Sequence, residues 1–276
     1  MDRHAQPQAD EIRWPCSLPA STQAQLLKIA RHYDPAQLGG NLPGVLYVAS
    51  GCLIGYATHA GMENSLGLIF GRGSWFGTQY IHNPTYTPVE FFEPLLPTEL
   101  ILFPKEELEP LLEQDPHLYK FLFYIAQYMG RLAIQMGSNS LYCLTTRTVY
   151  VLLELATKHA LANDREPCLE ITQQTLSRII GISRPRLNEV LKQLAAAGEL
   201  RLGRGEITLL DMAALKIEYQ AQRNALNGLL SGPANIPAVH AGKLKDAGYI
   251  ESTGEASGQR GYANVKITAA GRAAVA

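Results

Sequence analysis

The sequence predicts an α+β protein: an antiparallel, jelly-roll-like β-roll, one long helix, a winged helix-turn-helix, and an extra C-terminal winged-helix-like segment. Three observations support this prediction. Short apolar runs separated by glycines fill residues 45–103, which is typical of strands joined by tight turns. An apolar stripe at helical spacing begins near residue 116. Two short helical patterns joined by a glycine turn then occupy residues 171–197.

Composition and charge limit the classes of function. The chain has 276 residues, 46% of them hydrophobic and 18% charged, which supports packed cores and argues against overall disorder. The net charge of -1 gives no global basic field, so any contact with nucleic acid must come from a local patch. The four cysteines form no C-x-x-C pair and predict neither a zinc site nor a disulfide framework. Without an apolar run of about 20 residues or a signal-peptide pattern, we expect a cytoplasmic protein with no metal, cofactor or membrane contact.

The first predicted domain covers residues 1–110. Residues 1–20 are expected to form a loose lead-in, and residues 21–33 a short helix capped by Ser21 or Thr22. Glycines then recur every two to seven residues through the predicted β-roll. The stretch KEELEPLLEQD, which follows the last predicted strand, is acidic and indicates a short helix.

The second predicted region, residues 111–142, is one long helix that begins near Pro116. Its length of 20–25 residues corresponds to about 30–38 Å. Its apolar stripe consists of Leu118, Phe121, Leu122, Ile125, Tyr128, Met129, Leu132 and Met136. Such a stripe needs a partner, and two partners fit: the protein's own β-roll, or the same helix of a second chain in a parallel dimer.

The third predicted domain, residues 143–215, holds the helix-turn-helix. A helix from Thr146 to about Ala160, capped by Thr145 or Thr146, leads into it. Thr172 is expected to cap the next helix, Gly181 to end that helix in a tight turn, and Ser183 to cap the following one. The segment ELRLGRGEITLL then alternates around Gly203-Arg204-Gly205, which predicts a β-hairpin wing.

Several exposed positions of this domain suit contact with double-stranded DNA. The first residues of a recognition helix reach base edges, where arginine suits guanine and asparagine suits adenine. The start of the preceding helix and the tip of a wing suit phosphate. The residues expected to bind DNA are Thr172, Gln173, Gln174, Ser183, Arg184, Arg186, Asn188, Lys192 and Arg204. Residues 165–210 carry seven basic side chains against five glutamates, a mild positive excess in a chain of net charge -1.

Two stretches resemble the Crp-Fnr superfamily of bacterial transcription regulators. The segment ITQQTLSRIIGISRPRLNEVLKQLAAAGEL resembles the family signature, in which I-T-x-x-x-[IL] opens the first helix and G-x-S-R forms the turn. LYVASGCLIGY and SLGLIFGRGSWFG resemble the strands of the family's cyclic-nucleotide-binding-like roll. The resemblance covers about residues 40–215. It implies an effector or sensor roll at 1–110, a dimerisation helix at 111–142 and a DNA-binding domain at 143–215. It also implies a homodimer on a near-palindromic operator, a small-molecule effector, and contact with RNA polymerase if the protein is an activator.

The departures from the family pattern bear on the effector. Cyclic-nucleotide binders of the family carry a glutamate just after F-G and a later arginine for the cyclic phosphate, whereas here Phe76-Gly77 is followed by Thr78-Gln79. We therefore expect no response to cyclic AMP. The residues expected to bind any other effector are Gly77, Thr78, Gln79 and Thr87. An N-terminal iron–sulfur cluster needs several thiolates, and only Cys16 lies there. Pro185 replaces the glutamate that usually follows the turn arginine, so the preferred half-site is expected to differ from TGTGA.

Residues 216–276 lie beyond the resemblance and form a C-terminal extension. The pattern LKDAGYI, a glycine-rich turn and T-x-x-G-R resembles the later half of another winged helix. The extension is either a folded tail without a binding role or a source of further phosphate contacts through Arg260 and Lys266. We find no G-x-S-x-G, P-loop or H-E-x-x-H motif, so no enzymatic role is expected. The alternative function is a ligand- or partner-binding β-roll protein that does not touch DNA.

Overall fold

The computed structural model describes residues 7–8, 11–39, 41–57, 66–81, 91–140, 142–159, 166–216, 234–237, 241, 244–246, 250–253 and 262–269. The predicted α+β class is confirmed, since antiparallel sheets and helices make up these residues. The chain divides into two compact units. One comprises Met1–Ala133 with Lys158–Ala160, and the other Ile134–Thr157 with Leu161–Ala276.

Two antiparallel sheets form the β-roll of the first unit. The first sheet contains β1 (Arg31–Tyr33), β2 (Gly44–Ser50), β5 (Trp75–Phe76) and β7 (Glu99–Pro104), in the order β1-β7-β2-β5. The second contains β3 (Cys52–Ala57), β4 (Leu66–Gly71) and β6 (Phe91–Pro94), in the order β4-β3-β6. The short apolar runs of the sequence thus become strands, as predicted.

Aromatic rings bridge the two sheets. Phe76 of the first sheet stacks on Phe70 of the second at 4.6 Å between ring centroids, and Phe92 lies 5.5 Å from Phe76. Gly55 makes room for them, because a Cβ there would lie 3.1 Å from the Phe70 ring and 3.0 Å from the Phe92 ring. At β4, β5 and β6 the roll is therefore a packed core, with close contacts like those of other protein interiors.

The N-terminal lead-in is ordered from residue 11 to 18, so the prediction of a loose segment was wrong there. Ile12 and Leu18 are buried, and the Trp14 ring lies 6.0 Å from that of Trp75. The backbone is anchored as well, because Arg13 donates its amide to the Tyr47 hydroxyl and accepts from the Trp75 indole. Burial removes the apolar side chains of this segment from water, and the free energy gained offsets the conformational entropy that is lost when the segment is ordered.

The first helix, α1, spans Ala20–Ile29, and residues 31–33 form strand β1 instead of its last turn. Pro19 precedes the helix without a side-chain cap, so neither Ser21 nor Thr22 caps it. Thr22 is buried instead, and its hydroxyl donates to the Asp115 carboxylate at 2.5 Å. This hydrogen bond lowers the pKa of Asp115 from its ordinary value.

Two helices follow the roll: α2 (Lys105–Leu112) and the long α3 (His117–Ser140). Asp115 starts α3, since its carboxylate accepts from the His117 amide at 2.9 Å. Leu118, Phe121 and Ile125 are fully buried in the core of their own roll. The buried part of the predicted stripe is therefore satisfied within the chain, and these three residues cannot also form a dimer seam.

A different side of α3 is exposed. It consists of Tyr119, Phe123, Ala126, Gly130, Ala133 and Gly137, which we call the exposed face of α3. Tyr119 is 53% exposed and Phe123 62%, large values for aromatic side chains. A Cβ at Gly130 or Gly137 would meet nothing within 4 Å, so nothing in the described parts of the chain requires glycine there.

The second unit contains the end of α3 from Ile134 and all but the last residue of α4 (Leu144–Lys158), which starts two residues before the predicted Thr146. Next come β8 (Cys168–Glu170), α5 (Gln173–Ile180), α6 (Arg184–Ala196), β9 (Leu200–Leu202) and β10 (Glu206–Leu209). The strands form a sheet in the order β8-β10-β9, whose last two strands are the predicted hairpin. Gly198, at φ +75°, follows the end of α6 as predicted.

Three further strands lie in the C-terminal extension: β11 (Ala234–Pro237), β12 (Ile250–Ser252) and β13 (Tyr262–Ile267). Their order, β11-β13-β12, repeats that of β8-β10-β9, with the first strand paired to the third. Ile250 and Val265 are buried. Lys266 forms an ion pair with Glu251 at 3.2 Å, and Arg260 lies outside the described residues.

Among the residues that the structure describes, none of the helices combines the length and the apolar character that a membrane span requires. The same residues contain no group of three or more His, Cys, Asp or Glu side chains that could hold a metal ion. Disulfide bonds do not join Cys16, Cys52, Cys143 and Cys168.

Candidate nucleic-acid interface

Helix α5 begins and ends as the sequence predicts. Thr172 caps it, because its hydroxyl oxygen accepts from the Thr175 amide at 3.1 Å. Gly181 ends it at φ +73°, a left-handed conformation that costs glycine little. The amides of Gly181 and Ile182 both donate to the Ser177 carbonyl, at 2.9 and 3.1 Å, which closes the last turn.

Helix α6 begins without the predicted side-chain cap. Ser183 stands at the N-cap position in an extended conformation, and its carbonyl accepts from the Leu187 amide at 3.0 Å. Its hydroxyl makes no capping hydrogen bond. Such a hydroxyl normally accepts from the second or third helical amide, and Pro185, at the second position, has no amide hydrogen to donate.

A buried stripe fixes which side of α6 faces outward. Leu187, Val190, Leu191 and Leu194 are buried, while Arg184, Arg186 and Lys192 are exposed and Asn188 is half-buried. Arg184, Asn188 and Lys192 recur every four residues and so share one side of the helix. Arg186 lies about 200° around the axis from Arg184, on the opposite flank.

The other predicted contacts lie at the start of α5 and at the wing. Thr172 and Gln174 are exposed there and Gln173 is half-buried. Arg204 is exposed in the turn between β9 and β10, where the Gly203 amide donates to the Glu206 carbonyl at 3.0 Å and Gly205 adopts φ +80°. All nine predicted DNA-binding residues thus lie in one domain, where seven are exposed and two are half-buried.

Glu189 is also exposed on α6, although it is not among the residues that the sequence pattern indicates for DNA binding. A carboxylate at this position can accept from the amino group of cytosine, the one acidic contact that base edges offer. Periodicity alone could have predicted this exposure, because Glu189 lies on the outer side of the helix, opposite the buried stripe.

Replacing Thr172 with alanine is expected to destabilise the DNA-binding domain by about 1 kcal/mol, because the Thr175 amide loses its acceptor. Thermal or denaturant unfolding of the protein without DNA measures this. Thr172→Ser keeps the oxygen and is expected to match the wild type. Equal stability of the alanine variant would show that the cap contributes nothing.

The predicted effector residues lie in the first unit. Gly77 adopts φ +99°, and a Cβ there would lie 2.4 Å from the Gly44 carbonyl oxygen, so the turn requires glycine. Thr78 and Gln79 line a groove of about 570 Å³ beside α3. Its other lining residues are Ile81, Tyr119, Leu122, Phe123, Ala126 and Met129. None of these eight described side chains is charged. Thr87 lies outside the described residues.

Comparison with known proteins supports the resemblance found in the sequence. Residues 146–217 match the family of Crp-like helix-turn-helix domains. No curated protein matches the chain.

Solved structures have the same fold. A protein from Eubacterium rectale assigned to the Crp/Fnr family is 18% identical, with a TM-score of 0.59, and the match covers 74% of this chain and 95% of that one. The c-di-GMP-responsive global regulator CLP of Xanthomonas campestris is 24% identical, with a TM-score of 0.57 and coverage of 70% and 100%. A CRP/FNR family regulator from Thermus thermophilus is 21% identical, with a TM-score of 0.50 and coverage of 69% and 98%.

The domain match and the shared fold agree with the site geometry. The matched residues include α5, the glycine turn, α6 and the wing. The likeness of the solved structures extends beyond those residues, since it covers more than two thirds of the chain. The chain therefore shares the fold of these Crp/Fnr-family structures, and its residues 146–217 belong to a Crp-like helix-turn-helix domain.

Proposed function

We propose that the protein is a sequence-specific regulator that binds a near-palindromic operator as a homodimer and does not respond to cyclic AMP. The observation that carries this proposal is the exposed polar side of α6, held over a fully apolar stripe and next to the capped start of α5. The domains of the proposed regulator are the roll at 1–110, the dimerisation helix at 111–142, the winged helix-turn-helix at 143–215 and a C-terminal extension at 216–276 that forms a partial winged helix.

The proposed contacts with DNA divide into two kinds. Arg184, Asn188 and Lys192 share one side of α6 and approach base edges in the major groove, where arginine reads guanine and asparagine reads adenine. Ser183, at the start of the helix, and Arg186, on its opposite flank, are the other two contacts that we propose for this helix. Phosphate oxygens are held by Arg204 of the wing and by Thr172, Gln173 and Gln174 at the start of α5.

The exposed face of α3 supports the proposed dimer. Its six positions alternate steps of four and three residues, the spacing of a two-stranded coiled coil. Glycine inside a helix costs about 1 kcal/mol relative to alanine, so Gly130 and Gly137 call for a compensating contact. A second α3 approaching closely along this face would supply it. The seam that we propose is thus rotated away from the buried stripe that the sequence emphasised.

Two features argue against cyclic AMP as the effector. The aromatic rings of Phe70, Phe76 and Phe92 fill the space between the sheets at β4, β5 and β6. The groove beside Thr78 and Gln79 is lined by uncharged side chains, which offer no partner for a cyclic phosphate.

An effector of another kind would act through the groove. Tyr119, Phe123 and Ala126 belong both to the groove and to the exposed face of α3, so a bound small molecule would touch the proposed dimer seam. If the small molecule binds one arrangement of the two helices at that seam more tightly than another, it shifts the protein toward the DNA-binding state that goes with that arrangement.

We propose contact with RNA polymerase if the protein activates transcription. A DNA-binding role places the protein in the cytoplasm with the chromosome, and we assign it no enzymatic activity.

A salt titration tests DNA binding against the alternative, a roll that binds only ligands or protein partners. Phosphate contacts release counterions, so the affinity for duplex DNA is expected to fall steeply and linearly on a log–log plot against salt. A short single duplex of random sequence is sufficient for this test. Absence of any binding at about 50 mM salt, in a range where non-specific binding is strong, would favour the alternative.

A further inference from the structure

Helix α5 ends on a hydrogen bond from a distant part of the chain. The Arg147 guanidinium, in the first turn of α4, donates from Nη2 to the Ile180 carbonyl at 2.6 Å. Ile180 is the last residue of α5, and Arg147 lies 33 residues before it. Both residues belong to the same compact unit.

The Ile180 carbonyl needs a donor from outside its own helix. The last carbonyls of an α-helix have no intrahelical partner. The two amides that close α5, those of Gly181 and Ile182, both go to the Ser177 carbonyl and leave that of Ile180 to Arg147. Hydrogen bonds with a charged donor are among the strongest that a backbone carbonyl makes.

This hydrogen bond explains why an arginine stands in the first turn of α4, and the dipole of α4 itself does not. A cation in the first turn of a helix opposes the helix dipole, whereas a cation at the last turn is favourable. The base of the side chain is held firmly, because Thr146 and Thr148 on either side are fully buried and the Thr148 hydroxyl donates to the Leu144 carbonyl at 2.8 Å.

We infer that Arg147 is a positioning residue for the recognition helix α6. Only Gly181, Ile182 and Ser183 separate Ile180 from Arg184, so the place where α5 ends sets where α6 begins. Arg147 fixes that place relative to α4 without reaching DNA itself. This inference rests on the proposed function, because it assigns the geometry of base reading to a residue outside the helix-turn-helix.

The test compares Arg147→Met and Arg147→Lys with the wild type on two duplexes, an operator selected by the wild-type protein and a random sequence. Arg147→Met is expected to lower the ratio of operator affinity to random-sequence affinity by at least about tenfold, the factor that corresponds to the free energy of one hydrogen bond with a charged group. Random-sequence affinity and its salt slope are expected to stay unchanged, because Arg147 makes no phosphate contact. Arg147→Lys keeps the charge and one donor and is expected to restore part of the ratio.

Lys216→Met is the matched control, since it removes an exposed charge from the same unit and is expected to leave the affinity ratio unchanged. If Arg147→Met does not fold, Arg147→Lys carries the same comparison, with a smaller loss of the ratio expected. An unchanged ratio in a folded variant, or a reduced salt slope, would overturn the inference. Failure of the wild type to prefer any sequence would contradict the proposed function instead.

Discussion

Replacing Phe123 with glutamate is expected to convert the proposed dimer into monomers at micromolar concentration. Phe123 is the most exposed aromatic residue on the exposed face of α3, and in the proposed dimer its ring would be buried at the seam. A carboxylate there would meet its counterpart across the two-fold axis, and two buried like charges are strongly unfavourable. Mass in solution, by light scattering or sedimentation, measures the change directly.

The loss of the dimer is expected to weaken operator binding by about 100- to 10,000-fold, because a dimer binds its second half-site as an intramolecular event. Tyr124→Glu is the matched control, since Tyr124 is also an exposed aromatic side chain but lies outside the four-and-three pattern of the seam. A Phe123→Glu variant that remains dimeric would place the dimer contact elsewhere on the chain.

Replacing Arg184 with alanine is expected to reduce specific operator binding by about 1–3 kcal/mol, or roughly 5- to 150-fold, and to relax selectivity at one base pair of each half-site. Arg184 is the first residue of α6 and is exposed, and a bidentate contact between arginine and guanine is worth this much. Competition of the variant against single-base changes in the operator measures the effect.

Arg204→Ala provides the contrast for this prediction. Arg204 lies on the wing and is assigned to phosphate, so its loss is expected to weaken all sequences alike and to reduce the salt slope by about 1 for each contact. If Arg184→Ala shows this uniform pattern and keeps its selectivity, Arg184 is a phosphate contact and another residue reads the base.

The helix-turn-helix was predictable from the sequence because its signals are local. Thr172, Gly181 and Gly198 act through their own backbone conformation or the nearest amides, and each does what the pattern indicates. Ser183 is the exception. Its environment contains Pro185, which has no amide hydrogen, and the preference for serine at a helix start does not take such a neighbour into account.

The parts that sequence reasoning missed depend on distant contacts. Periodicity identified the apolar stripe on α3 that contains Phe121 but left two partners open for it, and it gave no sign that Phe123, outside that stripe, lies on a second, exposed face. The docking of Trp14 on Trp75 joins residues 61 positions apart, and no local pattern announces it. Arg147 was missed for the same reason, and the only local signal was a cation in the first turn of a helix, where the dipole disfavours it.

The central claim is that a dimer of this chain reads a specific, two-fold-related DNA sequence. Selection of bound duplexes from a random pool with the purified full-length protein, combined with the mass of the resulting complex, tests it most directly. The account predicts an enriched inverted repeat whose half-site centres lie about one helical turn, or 10–10.5 base pairs, apart, bound by two chains. Binding without any enriched sequence, or an enriched site occupied by a single chain, would contradict it.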